Sequence, residues 1–202
     1  MRSILFFGHS ILVHLFEFLC NNIDERCKLG FNLKEQVEIV KKCYSGLSFK
    51  KMSKICGGSI ENMVDNRSYD IIILQFGGND FKRFKDRPVK MAKKLVKLAK
   101  SLKKLCNAKK IIICNILPRI AGNKSYSLST KKAAKYRNWR REVNRNTKLL
   151  ASNKIIIWNH QQLFRNNKLT IFLKDGTHLN RYGNFLLYKS LRGAILYALN
   201  NL

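Results

Sequence analysis

Residues 71–80 read IIILQFGGND. The first six are apolar apart from Gln75, and a continuous apolar run of this length is typical of a strand covered on both faces of a parallel sheet. Two glycines then give the backbone freedom to turn sharply beside the amide of Asn79. The stretch therefore predicts a buried strand with an amide side chain at its carboxyl end, although a simple turn uses the same residue types.

Four further apolar runs resemble this strand, and helix-length segments separate them. The five runs are residues 4–7, 37–40, 71–76, 111–114 and 155–158. Alternating strands and helices predict an α/β fold with a parallel sheet and helices on both faces. We expect helices at about 89–106, from Ser129 or Thr130 to about Ala151, and from about Tyr182 to Leu199. The chain of 202 residues suits one well-buried domain, 1–202.

Polar motifs follow the first three strands. Residues 8–10 (GHS) follow the first, 45–48 (SGLS) the second, and Asn79 the third. In an open parallel sheet, ligands bind beyond the carboxyl ends of the strands, where the strand order reverses. A strand order of 2-1-3-4-5 puts Ser10 in the centre of that edge, with Gly46 and Asn79 on either side. Taken singly, Ser10 also reads as a helix cap and Gly46 as a turn residue.

A carboxylate and an imidazole lie close together before the last helix. Residues 175–178 read DGTH, so Asp175 and His178 are three positions apart. In a turn, this spacing lets the carboxylate reach the imidazole Nδ1–H and leaves Nε2 free to accept a proton. The plain alternative is that Asp175 caps a turn and His178 is a surface residue. With Ser10 and Asn79, the pair completes the set of groups that a serine hydrolase requires.

These motifs together resemble the SGNH hydrolases, also called the GDSL esterase/lipase superfamily, over essentially the whole chain. The resemblance implies a flavodoxin-like three-layer fold with a five-stranded parallel sheet and an ester hydrolase without a cofactor. It implies Ser10 as nucleophile, with Asp175 and His178 completing the triad. It also implies that the Ser10 N–H, Gly46 N–H and Asn79 side chain form an oxyanion hole.

The first motif departs from the superfamily pattern, because His9 stands where the eponymous pattern has Asp. This change puts the support of the nucleophile loop in question. The residues of the three motifs are also similar to those of a divergent subgroup of the superfamily in animal genomes. Some members of that subgroup resemble the esterase domain of LINE retrotransposons. The four histidines are too scattered, with too few carboxylates nearby, to predict a metal site.

The charge is the most unusual bulk property. Forty Lys and Arg against twelve Asp and Glu give a net charge of +28. Residues 82–110 hold thirteen of the basic residues, and residues 124–154 hold ten, interleaved there with Tyr136 and Trp139. This mixture suits phosphate contact plus stacking, although a solvated surface explains the charge as well. An accessory nucleic-acid-binding module of the same fold and a protein of anionic lipid surfaces are therefore the alternatives to an acyl esterase.

The cysteines and the N-terminus indicate a cellular setting. Six cysteines show neither metal-type spacing nor a regular framework, which predicts reduced, mostly buried thiols. Arg2 precedes an apolar stretch, but polar residues interrupt it and no small-residue cleavage site follows, so a strand and helix are expected rather than a signal peptide. No run approaches a membrane span. These features predict an intracellular, cytoplasmic protein.

Overall fold

A computed structural model describes residues 1–21, 30–55, 57, 60–65, 67–125, 127–161, 163 and 171–202. Five strands form one parallel sheet in the order β2-β1-β3-β4-β5. The strands are β1 (Arg2–Gly8), β2 (Val37–Cys43), β3 (Ile71–Gln75), β4 (Lys110–Cys114) and β5 (Ile155–Trp158). The predicted fold class and strand order are confirmed.

Six helices accompany the sheet in the described part of the chain. They are α1 (Ser10–Asn21), α2 (Phe49–Ile55), α3 (Phe81–Phe84), α4 (Pro88–Leu105), α5 (Thr130–Leu150) and α6 (Arg181–Leu199). Short 3-10 turns span Ile60–Met63 and Gly78–Asp80. Ser129 occupies the position before α5 without a side-chain cap bond, whereas the Asn180 side chain caps α6 by accepting from the Gly183 N–H.

Helices cover both faces of the sheet because the side chains of β3 alternate between two buried clusters. All five residues of β3 are buried. Ile72 and Leu74 pack in a core with α4 and α5, whereas Ile71 and Ile73 pack in a second core with α1 and α6. The continuous apolar sequence of β3 thus reflects burial on both sides.

The basic segments form the outer surface of one helical layer. On α4 the apolar stripe is buried, and the exposed lysines are Lys90, Lys93, Lys97, Lys100 and Lys104. On α5, however, Tyr136 is 1% exposed and Trp139 is 3% exposed. Tyr136 Oη donates to the Leu117 carbonyl and Trp139 Nε1 to the Phe84 carbonyl. The stacking role predicted for these two aromatic residues is therefore wrong, because both belong to the core; Arg140 is also buried.

The described cysteines are free thiols with differing exposure. Cys106 and Cys114 are buried, Cys43 is partly buried and Cys20 is exposed. Burial raises the pKa of the Cys43 thiol to about 12 and that of Cys114 further still. Cys27 and Cys56 lie outside the described residues. Among the described helices, none combines the length and apolar character that crossing a membrane requires.

The carboxyl ends of β1 and β3 approach each other closely at Gly8, which pairs with Gln75. A Cβ on Gly8 would stand 2.3 Å from the backbone oxygen of Gln75 and 3.0 Å from a methyl group of Leu12. Any larger residue would therefore push α1 or β3 away. The glycine allows the residues after β1 and β3 to meet.

We expect Gly8→Ala to lower the free energy of unfolding by about 1–3 kcal/mol, the usual cost of overpacking a core. Urea denaturation measures this change. Gly30→Ala is the matched control, because no atom of the described residues, apart from its chain neighbours, lies within 4 Å of its added Cβ, and it should change stability by less than about 0.5 kcal/mol. Equal stability of both variants would contradict the close approach at Gly8.

Candidate active site

Ser10 is the first residue of α1 and follows β1 by two positions. Its side chain lies among groups from the far end of the chain, and the residue is 8% exposed. As the first helical residue it has a backbone N–H without an intrahelical acceptor, at the positive end of the helix dipole. The turn after β1 thus places the Ser10 hydroxyl at the start of α1, next to a backbone donor.

The hydroxyl of Ser10 contacts His178, which in turn contacts Asp175. The His178 Nε2 atom lies 3.0 Å from Ser10 Oγ, and His178 Nδ1 lies 2.6 Å from Asp175 Oδ2. With the Nδ1 proton donated to the carboxylate, Nε2 is an acceptor for the Ser10 hydroxyl proton. The structure therefore brings the three predicted residues together in the order hydroxyl, imidazole, carboxylate.

Hydrogen bonds hold the Asp175 carboxylate in its charged form. Its Oδ1 atom accepts from the N–H of Thr177 at 2.8 Å and of His178 at 2.9 Å. Burial alone would raise the pKa of Asp175, but these two bonds and the contact with the His178 ring outweigh it and lower the pKa. The ionised Asp175 accepts from the Nδ1–H of His178 and so fixes the orientation of the ring.

The loop that carries Asp175 and His178 is fixed by its own backbone. The N–H of Leu173 donates to the His178 carbonyl at 2.8 Å, and the N–H of Gly176 donates to the Leu173 carbonyl at 2.9 Å. Gly176 has a φ of +67°, and a Cβ there would stand 2.4 Å from the Ile120 oxygen. Glycine is thus required both for this turn and for its contact with the segment after β4.

Asn79 links the loops that follow β2 and β4. It lies in the 3-10 turn after β3, which begins behind Gly77 with a φ of +106°. The Asn79 Nδ2 atom donates to the Leu47 carbonyl at 3.0 Å, and its Oδ1 accepts from Arg119 Nη2 at 2.7 Å. An amide nitrogen has two protons, so this arrangement leaves the second one for another acceptor.

Gly46 lies in the exposed turn after β2, next to Leu47. Its φ is +68°, and the turn is closed by the Leu47 N–H donating to the Tyr44 carbonyl at 3.1 Å. Gly46 contacts the site through its neighbour Leu47, whose carbonyl accepts from Asn79. Its role as a backbone donor stays a prediction.

Asp80 fastens the 3-10 turn to α2. The residue is 2% exposed, and its two carboxylate oxygens accept from the N–H of Phe49 at 3.0 and 3.3 Å. Burial raises the pKa of Asp80 to about 6, although the Phe49 hydrogen bond opposes that shift. Asp80 therefore positions the loop that carries Asn79.

His9 replaces the usual Asp without losing contact with the start of α1. The His9 Nδ1 atom accepts from the Ile11 N–H at 3.4 Å, and the residue is 3% exposed. Burial lowers the pKa of His9 to about 3, with the Arg119 charge adding to the effect. The imidazole is therefore neutral at neutral pH and supplies an acceptor in place of a carboxylate.

Two residues beside this site were not predicted. His14 lies one helical turn after Ser10, with its ring centroid 4.5 Å from that of His178. Arg119 follows β4 by five positions and contacts Asn79. The helical spacing from Ser10 and the position beyond the carboxyl end of β4 were the available signals for them.

His160 packs in the interior and contacts two polar side chains. It is fully buried, with Nδ1 2.8 Å from Ser190 Oγ and Nε2 3.1 Å from Gln75 Oε1. Burial lowers the pKa of His160 to about 3. Within the described residues, no group of three or more His, Cys, Asp or Glu side chains is arranged to hold a metal ion.

Residues 24–191 match the GDSL-like lipase/acylhydrolase family. The chain belongs to this family, which confirms the resemblance to the SGNH hydrolases and makes the protein an ester-hydrolysing enzyme. The matched segment contains Gly46, Asn79, Asp175 and His178, whereas Ser10 precedes it. No curated protein matches the sequence.

Solved structures share the fold at low sequence identity. A GDSL-like lipase from Bacteroides thetaiotaomicron is 17% identical, with a TM-score of 0.62 over 98% of this chain and 89% of that chain. An acetyl xylan esterase is 17% identical, with a TM-score of 0.64 over 96% and 99%. A carbohydrate esterase family 3 protein from Talaromyces cellulolyticus is 13% identical, with a TM-score of 0.64 over 100% of both chains.

The buried His160 gives a test of acid stability. The pKa of His160 is about 3 in the folded protein, below the ordinary value of 6.5. At pH values between these two, the unfolded state therefore binds more protons than the folded state. The free energy of unfolding should therefore fall as the pH drops through that window. We expect His160→Gln to remove about 2 kcal/mol of the stability loss between pH 7 and pH 5, measured by urea denaturation at both values.

Ser190→Ala is the control for this test, because it removes a hydrogen-bond partner of His160 but keeps the imidazole buried. It should lower stability at both pH values and leave the pH dependence intact. A His160→Gln variant with the pH dependence of the wild type would contradict a neutral, buried His160.

Proposed function

We propose that the protein is a serine esterase in which Ser10, His178 and Asp175 form the catalytic triad. The observation that carries the proposal is the pair of contacts at 3.0 Å from Ser10 to His178 and 2.6 Å from His178 to Asp175. They occur at the carboxyl edge of the sheet, where open α/β folds bind ligands. Membership of an acylhydrolase family supports the same chemistry.

In the first step, Ser10 Oγ attacks the carbonyl carbon of the ester. The hydroxyl proton moves to His178 Nε2, and the ionised Asp175 stabilises the resulting imidazolium. The carbonyl electrons move to oxygen and form a tetrahedral oxyanion. When this intermediate collapses, the bond to the alcohol breaks, and the proton on His178 Nε2 passes to the leaving oxygen.

The oxyanion is stabilised by the backbone N–H groups of Ser10 and Gly46 and by the side-chain amide of Asn79. The Ser10 N–H lies at the start of α1, where the helix dipole also favours negative charge. The Asn79 Nδ2 atom donates one proton to the Leu47 carbonyl, and the second is directed to the oxyanion. Such fixed donors cost little reorganisation as charge develops.

The second step reverses the first with water as the nucleophile. His178 Nε2 takes a proton from water, the hydroxide attacks the acyl carbon, and the same donors bind the second oxyanion. Collapse breaks the bond to Ser10 Oγ, which regains its proton from His178. The acid is released and the enzyme returns to its starting state.

Acetyl and other short acyl esters are the first substrates to test. Two structural neighbours are described as an acetyl xylan esterase and a carbohydrate esterase. We extend that substrate class to this chain as a proposal, since their identity of 17% or less shows the fold alone. An acetylated oligosaccharide and a short-chain aryl ester make a suitable pair, because the aryl ester reports the chemistry without carbohydrate recognition.

Ser10→Ala tests the nucleophile. We expect the variant to lose hydrolysis of the aryl ester and labelling by a fluorophosphonate, because among the described residues Ser10 supplies the hydroxyl that is paired with His178. Its melting temperature should remain within a few degrees of the wild type. Ser48→Ala is the control, since that serine directly precedes α2 and its hydroxyl accepts from the N–H of Lys51. Wild-type turnover by Ser10→Ala would refute the assignment.

Asn79→Ala tests the oxyanion donor. We expect kcat to fall by about 10²–10³ while KM changes much less, because the contact strengthens mainly in the transition state. Asn144→Ala is the matched control. Its side-chain amide also holds a loop, through both backbone groups of Ile116, so stability should fall while kcat is retained. A loss confined to KM in Asn79→Ala would contradict the role.

A further inference from the structure

Arg119 makes a direct contact with the proposed oxyanion donor. The residue belongs to the segment that follows β4, and it is partly buried. Its Nη2 atom donates to Asn79 Oδ1 at 2.7 Å, a short bond of the kind formed when the donor is charged. The opposite end of the same amide, Nδ2, faces the Leu47 carbonyl. The amide is therefore held at both ends, and its rotation is fixed.

The core also fixes the guanidinium itself. The group lies over the ring of Tyr136, with Arg119 Cζ 5.2 Å from the ring centroid. That ring is buried, and its hydroxyl donates to the carbonyl of Leu117, two residues before Arg119. A cation–π contact on a ring that cannot move restricts the side chain. Arg119 is thus held in place before any substrate binds.

The charge of Arg119 is not neutralised by the carboxylates nearby. Among the described residues, no Asp or Glu oxygen forms an ion pair with it. Asp80 is directed to the N–H of Phe49, and Asp175 to His178. His9 is also close, since its Nε2 and Arg119 Nη2 stand within 3.6 Å of the point where a Cβ on Gly78 would lie. His9 is neutral, so it leaves the positive charge intact.

We propose that Arg119 is a positioning residue of the oxyanion hole, which aligns the Asn79 amide and strengthens it as a donor. A cation bound to the amide oxygen withdraws electron density, so the N–H on the other side of the group becomes a stronger donor. The inference deepens the proposed function and rests on it.

Arg119→Met and Arg119→Lys test this role by steady-state kinetics on the aryl ester. We expect Arg119→Met to lower kcat by about 10- to 100-fold, less than the loss of the donor itself, with KM within about threefold of the wild type. Arg119→Lys should recover part of kcat, because the charge remains while the guanidinium geometry is lost. Wild-type kcat in Arg119→Met would overturn the proposal.

A double-mutant cycle with Asn79→Ala separates positioning from a general structural effect. If Arg119 acts through Asn79, its substitution should lower kcat by less than about threefold once the amide is gone. If the kcat losses of the two single variants multiply in the double variant, the inference is overturned. Arg192→Met is the control, because the Arg192 guanidinium is likewise held by carbonyl oxygens, in its case those of the Phe31 and Asn32 backbone. That variant should lose thermal stability and keep kcat.

The melting temperatures of the two single variants and the double variant test the contact between Arg119 and Asn79 independently of activity. We expect the double variant to lose less than the sum of the two single losses, because both changes break one hydrogen bond. Additive losses would refute the coupling of Arg119 with Asn79. A wild-type protein that neither hydrolyses esters nor reacts with a fluorophosphonate would refute the proposed function instead, and the positioning role with it.

Discussion

The close approach of β1 and β3 at Gly8 is the constraint on which the site depends. These neighbouring strands end level with each other, with Gly8 opposite Gln75. The chain then turns in both places, so Ser10 and Asn79 follow adjacent strands at the same edge of the sheet. The contact requires a residue without a Cβ, since a methyl group would stand 2.3 Å from the Gln75 oxygen. The remaining groups of the site, from the loops after β2 and β4 and from the segment before α6, are added around this pair.

Much of this arrangement follows from sequence because the pattern of a parallel sheet is repetitive. Five apolar runs separated by helix-length segments predict the strands, and the rule for carboxyl ends predicts the edge that Ser10, Gly46 and Asn79 share. The same rule covers Arg119, but the spacing of five residues after β4 is too long to specify a side-chain direction. Its contact with Asn79 depends on the path of a loop with no periodic pattern.

The aromatic residues of α5 show why composition alone misleads. Basic and aromatic residues alternate along this helix, a mixture that is compatible with binding of anionic polymers. Helical geometry separates the two types. Tyr136 and Trp139 face the core, whereas Arg137, Arg141 and Arg145 are exposed. The exposed face of α5 therefore carries the basic side chains. From the buried face, the Tyr136 ring contacts Arg119 and the Trp139 ring contacts α3.

The distance along the chain between Ser10 and His178 has a consequence for biosynthesis. The two side chains that meet at 3.0 Å are 168 residues apart, with all five strands lying between or beside them. During translation the Ser10 hydroxyl therefore leaves the ribosome well before the His178 imidazole. Contacts of such long range form late, because loop closure over many residues must precede them. A nascent chain that has not yet reached His178 therefore carries Ser10 without the imidazole that contacts it, and this hydrogen bond forms only after all five strands have been synthesised.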